Sequence, residues 1–278
     1  MHIPKFWARK EVEEGGMDVT GLGWSDVSVR EASEKAEDRA RKVMGILKSG
    51  STPADYEYGL RQPLREEIVE EAGAGTDAHA IVTRNRYGAL VLNTESVMFI
   101  DVDDVKGPSR TGFLDLIFGK KKDETILRQE AQKRVIVETI EKTENLKSVL
   151  YRTRAGFRIL VLSRLFDPSS AEALSVLQAF GSDPLYVKLT RNQKSFRARL
   201  SPKPWRCGVG RPPSEYPRES ADTQREFASW LAEYRENAGD YAVCEDLGEF
   251  GSGAVLPAAS AVRARHDAAV LSPGRALA

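Results

Sequence analysis

The sequence predicts an α/β (α+β) fold: a mostly antiparallel sheet with helices packed against one face, behind an N-terminal helical segment. Three features predict it. From Ala78 onward, short runs rich in Val, Ile, Leu and Phe are separated by turn residues, as strands are. Between them lie stretches whose apolar residues recur every three or four positions, the period of a helix. The two kinds interleave as far as Leu200, which sets helices against a sheet rather than in a separate bundle.

Through residue 75 the chain is expected to be mainly helical. Ser28 and Glu31 fit a capping box, after which Ala32, Ala36, Ala40, Val43 and Leu47 keep helical spacing. The small alanines predict close packing on another element. A second helix is expected from Pro63 through PLREEIVEEAG, since proline suits a first turn. AIVTRNR, GALVLN and SVMFIDVD then form an expected antiparallel meander, turning at Tyr87-Gly88 and Thr94-Glu95. The loop KGPSRTGFLDLIFGKKK follows. Asp123 is expected to cap a helix that turns Leu127, Ala131, Val135 or Ile136, and Ile140 inward. SVLYRTR and FRILVLS, joined at Ala155-Gly156, make a β-hairpin, and Ser169 with Glu172 opens the helix AEALSVLQAF. PLYVKL and SFRARL are two further expected strands. A last helix carries Phe227, Trp230, Leu231 and Tyr234, and YAVCEDLGEF adds an edge strand. Beyond Gly253 no clear pattern remains, so residues 254–278 are expected to be a disordered tail. The chain thus divides into a helical segment (1–75), a core (76–215), a C-terminal helix with edge strand (216–253) and the tail.

A content of 41% hydrophobic and 29% charged residues is that of a globular protein. The two cysteines, Cys207 and Cys244, lack the spacing of a zinc site or disulfide framework and suit reduced thiols in a cytoplasmic protein. No apolar run approaches the length of a membrane helix, and the first residues have no secretory apolar core. The formal net charge is zero, yet residues 151–211 hold twelve Lys/Arg against three acids, Asp167, Glu172 and Asp183. Such a segment suits an anionic partner.

Two places concentrate chemistry. In the strand 97–103, Asp101 and Asp103 share a face at the end of a run apolar on both sides, which predicts a central strand. Carboxylates that close repel each other, and Mg²⁺ or Mn²⁺ is the usual compensation. In the following hairpin Arg152 and Arg154 share a face and Arg158 follows the turn; guanidinium forks suit phosphate oxygens. Arg197 and Arg199 share a face further on. Asp183, in GSDPLYVKL, begins a strand or initiates a turn. No Walker A, GxSxG or HExxH motif occurs; of the histidines, His2 and His266 lie near the termini and His79 has no evident partner, so a general-base histidine is not expected.

Taken together, IDVD, the GFR turn-and-strand and SDPLYVKL…FRARLSPKP resemble the archaeo-eukaryotic primase superfamily, including its primase-polymerases, over roughly residues 80–205. The resemblance implies an RRM-like sheet and a metal-dependent nucleotidyltransferase acting on a nucleoside triphosphate and DNA or RNA. Asp101 and Asp103 match the family's DxD, and Asp183 falls where its third metal-binding acid stands, with Ser182 in place of the usual hydrophobic residue. Arg158 occupies the position where the family has a histidine that meets the nucleotide phosphates. On this reading Arg152 or Arg154 helps Arg158 neutralise the triphosphate. Arg197, Arg199, Lys203 and Arg206 follow a nucleic-acid backbone, and Trp205 offers a stacking platform. Asp101→Asn is then expected to abolish turnover while sparing the fold. A metal-dependent nuclease and a non-catalytic nucleic-acid-binding module on the same sheet are the alternatives.

Overall fold

The computed structural model describes residues 1–49, 63–71, 79–105 and 120–278. It is an α+β protein, with helices packed on mainly antiparallel sheets. The chain forms two compact units: Met1–Glu71, Val82–Val91 and Lys203–Ala238 make the first, and Ala72–Ile81, Leu92–Pro202 and Gly239–Ala278 the second. The loop expected at 106–119 and the side chain of Asp123 lie outside the described residues.

The first unit opens with a hairpin, where a mainly helical segment was expected. β1 (Phe6–Glu14) and β2 (Met17–Ser25) pair antiparallel, and α1 (Val29–Lys48) lies across them. The strand FWARKEVEE is mostly charged because only Trp7 and Ala8 of it are buried, so its pattern does not announce a strand. The Ser28 hydroxyl accepts from the Glu31 amide at 3.1 Å, as a capping box predicts, while the Glu31 carboxylate receives the Ser25 hydroxyl at 2.7 Å. Ala32, Ala36, Ala40 and Met44 are buried. The alanine stripe meets glycines: a Cβ on Gly21 or Gly23 would lie 2.0 Å from the carbonyl oxygen of Ala36 or Ala32.

β3 (Glu67–Glu71) stands where a helix from Pro63 was expected. It joins β4 (Ala80–Arg84) in a sheet, and Glu66 and Glu67 are drawn in by the Thr83 hydroxyl at 2.5 Å and by Arg218 at 3.3 Å. Sheet pairing overrides the helical preference of so short a segment. Helix α5 (Ala221–Ala238) buries Phe227, Trp230 and Tyr234, their rings stacked at 5.5 and 5.1 Å. The residues of β4 and β5 (Leu90–Thr94) are divided between the two units.

The second unit is built on the sheet β11-β7-β8-β6, all antiparallel neighbours: β6 is Phe99–Asp103, β7 Ser148–Thr153, β8 Gly156–Val161 and β11 Cys244–Phe250. The β7–β8 hairpin and the edge strand β11 are as expected. β6 pairs with β8 rather than continuing a meander, and it ends the sheet instead of lying inside it. Its outer edge is closed by Ser182, Asp183 and Tyr186. The Ser182 hydroxyl and the Asp183 amide donate to the Asp101 carbonyl at 2.9 and 3.2 Å, and the Tyr186 hydroxyl donates to the Phe99 carbonyl at 2.8 Å. The same hydroxyl accepts from the Arg197 amide of β9 (Phe196–Arg199) at 3.3 Å. A buried edge satisfied in this way needs no further strand.

Four helices depart from the expected pattern. In α2 (Lys120–Lys142) Ile136 and Ile140 are buried as expected, but Leu127 is 69% exposed and Ala131 is exposed too. α3 (Ala171–Ala179) is capped by Ser170, one residue after the expected cap. PLYVKL is not a strand but opens α4 (Pro184–Gln193), because Asp183 accepts from the Leu185 amide as N-cap and Pro184 suits the first turn. The expected tail is ordered. α6 (Pro257–Val270) buries Ala258, Ala259, Val262, His266 and Val270, and the short strand β12 (Ala276–Leu277) pairs parallel with β10 (Tyr241–Ala242). A stripe of small residues gave it little hydrophobic contrast, yet the spacing of those five is helical.

Candidate functional site

Register brings the site together. Tyr151 of β7, Arg158 of β8 and Asp101 of β6 stand directly opposite one another across three strands, on the face that meets α6. Arg158 is the centre of the group and only 2% exposed, whereas the Asp101 side chain is 35% exposed. Arg158 Nε donates to Asp101 Oδ1 at 2.9 Å, and Nη1 donates to the Arg199 carbonyl at 2.9 Å and approaches His266 Nε2 at 3.3 Å. A guanidinium only donates, so His266 Nε2 must accept, and its proton sits on Nδ1. That nitrogen lies 2.8 Å from Asp267 Oδ1, which also receives the Tyr151 hydroxyl at 2.6 Å. A continuous chain therefore runs from Tyr151 through Asp267, His266 and Arg158 to the carboxylate of Asp101.

The electrostatics agree with this assignment. Burial opposes the charge of Arg158, but the attraction and hydrogen bond of Asp101 outweigh it and raise the guanidinium pKa. Burial lowers the pKa of His266, with Arg158 adding to the effect against the pull of Asp267, so the imidazole is neutral. Burial pushes the Cys244 thiol up to about 11, keeping it protonated and inert. Asp267 is held below the ordinary carboxylate range, its burial outweighed by hydrogen bonds from His266, Tyr151 and Arg263.

Of the residues singled out in the sequence, Asp101, Arg158 and Asp183 are brought together, and Asp103 follows on the face of Asp101 at the exposed strand end. Arg152 is held elsewhere: it forms a bidentate pair with Asp104 at 2.6 and 2.8 Å and donates to the Gly156 carbonyl at 2.9 Å. Arg154 donates to the Leu277 carbonyl at 3.1 Å, and Arg197 to Gln193 at 2.9 Å. Arg199 enters the site through its carbonyl, the acceptor of Arg158. Lys203, Trp205 and Arg206 belong to the first unit, in and before the 3₁₀ turn Pro204–Arg206. Three exposed cations of the second unit were not singled out. Lys188, Arg191 and Lys194 project from α4 and its C-terminus, and Lys188 and Arg191 form no ion pair among the described residues. His266 and Asp267 were missed as well, although the helical spacing of Ala259, Val262, His266 and Val270 was a signal for them.

Tested against Mg²⁺ or Mn²⁺, the donor set as arranged does not fit a two-metal centre. One oxygen of Asp101 is taken by an internal cation, and Asp183 caps a helix with its own carboxylate. Among the described residues no three His, Cys, Asp or Glu side chains gather as a ligand group. The arrangement can hold the Asp101 carboxylate in one orientation at the sheet edge, beside a basic helix. Among the described residues no helix is long and apolar enough to cross a membrane. No protein-family model, curated protein or solved structure matches the chain.

Proposed function

We propose that the chain binds nucleic acid without catalysing a reaction at Asp101, the binding surface of its second unit being the basic face of α4. One observation carries this reading: Arg158, fully buried, neutralises Asp101 from inside the protein, in the role that a metal ion fills for a bare pair of carboxylates. The resemblance to primase-polymerases supports nucleic acid as the anion. The exposed Lys188, Arg191 and Lys194 supply charge that tracks a phosphate backbone without reading bases.

The test is fluorescence anisotropy of a labelled DNA oligonucleotide at increasing salt, with Mg²⁺ or with EDTA. Three phosphate contacts predict a log–log slope of roughly −2 to −3. Lys188→Glu/Arg191→Glu should remove most of it, and the divalent ion should change nothing. A second reading keeps a metal-dependent nucleotidyltransferase, or a nuclease, because Asp101 and Asp103 share a face at a strand end and Asp101 is part exposed. Calorimetric binding of Mn²⁺ with a nucleoside triphosphate, lost in Asp103→Asn, would establish that reading in place of ours.

A further inference from the structure

The first unit presents an aromatic corner that the site around Asp101 does not use. Trp205 is 46% exposed, and Tyr87 meets it edge to face with ring centroids 5.3 Å apart. Cations surround the two rings. Arg86 lies 4.7 Å from the Tyr87 centroid, Arg211 5.6 Å from Tyr87 and 6.0 Å from Trp205, and Lys203 5.6 Å from Trp205. No acid occurs in residues 82–91 or 203–214, and Arg86 and Arg211 have no carboxylate partner among the described residues. Single exposed apolar side chains are ordinary on a protein surface. An exposed indole with an edge-on tyrosine and three cations about these two rings is not, and Arg86 and Arg211, which no described carboxylate pairs, repel each other until an anion joins them.

The corner is also rigid. Asn85 ties the turn that carries Arg86 and Tyr87, its side-chain oxygen accepting from the amides of Tyr87 and Ala89 at 3.0 and 3.1 Å. Gly88 has φ +86°, and a Cβ there would strike Trp230 at 2.1 Å, so this turn is pressed against α5. The Trp230 indole N–H donates to the Gly210 carbonyl at 3.0 Å and anchors the residue before Arg211. Arg86 covers the Tyr87 ring closely, while the cations near Trp205 stand further off and leave the indole accessible. Tyr87 is thus a buttress, and Trp205 the surface that a ligand meets.

We propose that Trp205, buttressed by Tyr87 and flanked by Arg86, Arg211 and Lys203, is a stacking site for an unpaired base of single-stranded nucleic acid. The indole offers a π-face, which only a base freed from a duplex can match, and the cations receive the phosphates on either side. This rests on the nucleic-acid reading above and adds a site in the other unit together with a preference for single strands.

The test is anisotropy of a labelled dT oligomer and of a duplex of equal length, with wild type, Trp205→Ala, Trp205→Phe and Lys188→Glu/Arg191→Glu. Trp205→Ala should weaken dT binding about 10- to 100-fold, the loss of one stacked base, and leave duplex binding unchanged. Trp205→Phe should recover most of the loss, and Arg211→Gln should reduce the salt slope by about 0.7. Unchanged thermal melting would show that Trp205→Ala keeps its fold. If Trp205→Ala binds dT as wild type does while the α4 variant does not, the stacking site is overturned and the proposed function stands. If wild type binds neither oligomer, both are overturned.

Discussion

At the scale of the residue, the Asp101–Arg158 pair is asymmetric. Arg158 is enclosed and bonded on several sides, whereas Asp101 keeps contact with water. Removing the acid strands a buried cation, so Asp101→Asn should cost about 3–5 kcal/mol of stability. Arg158→Met should cost less, since the remaining carboxylate can hydrate, and the double variant should recover much of the Asp101→Asn loss. Urea denaturation of the three variants measures this. A substitution expected from the sequence to spare the fold is therefore a stability variant, and Asp103→Asn is the cleaner probe of metal chemistry. His266 yields a pH prediction. Its folded pKa lies below the ordinary value of about 6.5, so beneath that pH the unfolded chain takes up the proton first and stability falls as pH drops from roughly 7 to 5. Asp267, whose folded pKa is also lowered, contributes stability that is lost only at more acid pH, below about 4. His266→Gln keeps an acceptor for Arg158 and a donor for Asp267 without titrating. Its urea midpoint should change less than that of wild type over the same interval, and equal slopes would refute the neutral buried imidazole.

At the scale of the element, α4 decides what its surroundings can do. Its N-cap is Asp183, which the primase resemblance casts as a metal ligand. The two roles separate experimentally. A capping residue tolerates Asn or Ser and loses about 1 kcal/mol on truncation to Ala. A metal ligand loses its charge in Asp183→Asn and with it the ion. Asp183→Asn is expected to melt within a few tenths of a kcal/mol of wild type while Asp183→Ala falls by about 1 kcal/mol, measured by chemical denaturation; loss of Mn²⁺ affinity in Asp183→Asn would reverse the assignment. The same helix closes the edge of β6 through Ser182, Asp183 and Tyr186 and turns Lys188 and Arg191 outward. One segment thus protects a strand and presents a basic face.

At the scale of the whole molecule, the C-terminal helix α6 belongs to the core of the second unit. α6 buries Val262 and Val270 and brings the His266–Asp267 pair against Phe99, Tyr151 and Arg158. Deleting residues 257–278 should leave Arg158 and Tyr151 without their partners and several apolar side chains in water, a combination that marginal stability does not survive. Circular dichroism melting is expected to show loss of the cooperative transition. A truncated chain that melts like the full one would mean that α6 is dispensable.

Local information determined a good part of this protein. The α1 cap at Ser28, the β7–β8 hairpin, the buried stripe of α5 and the pairing of Asp101 with a shared-face Asp103 were all legible, because caps, tight turns and periodicity act within a few residues. The charged hairpin β1–β2, the strand nature of β3 and the helix α6 were not, because their stability comes from a neighbour: α1 beneath the hairpin, β4 beside β3, the sheet beneath α6. The chemistry at Asp101 was the furthest from reach. Sequence spacing shows two carboxylates on one face, but only the alignment of β6, β7 and β8 under α6 pairs Asp101 with Arg158, since ion pairing depends on through-space distance between residues that stand 57 positions apart in the chain.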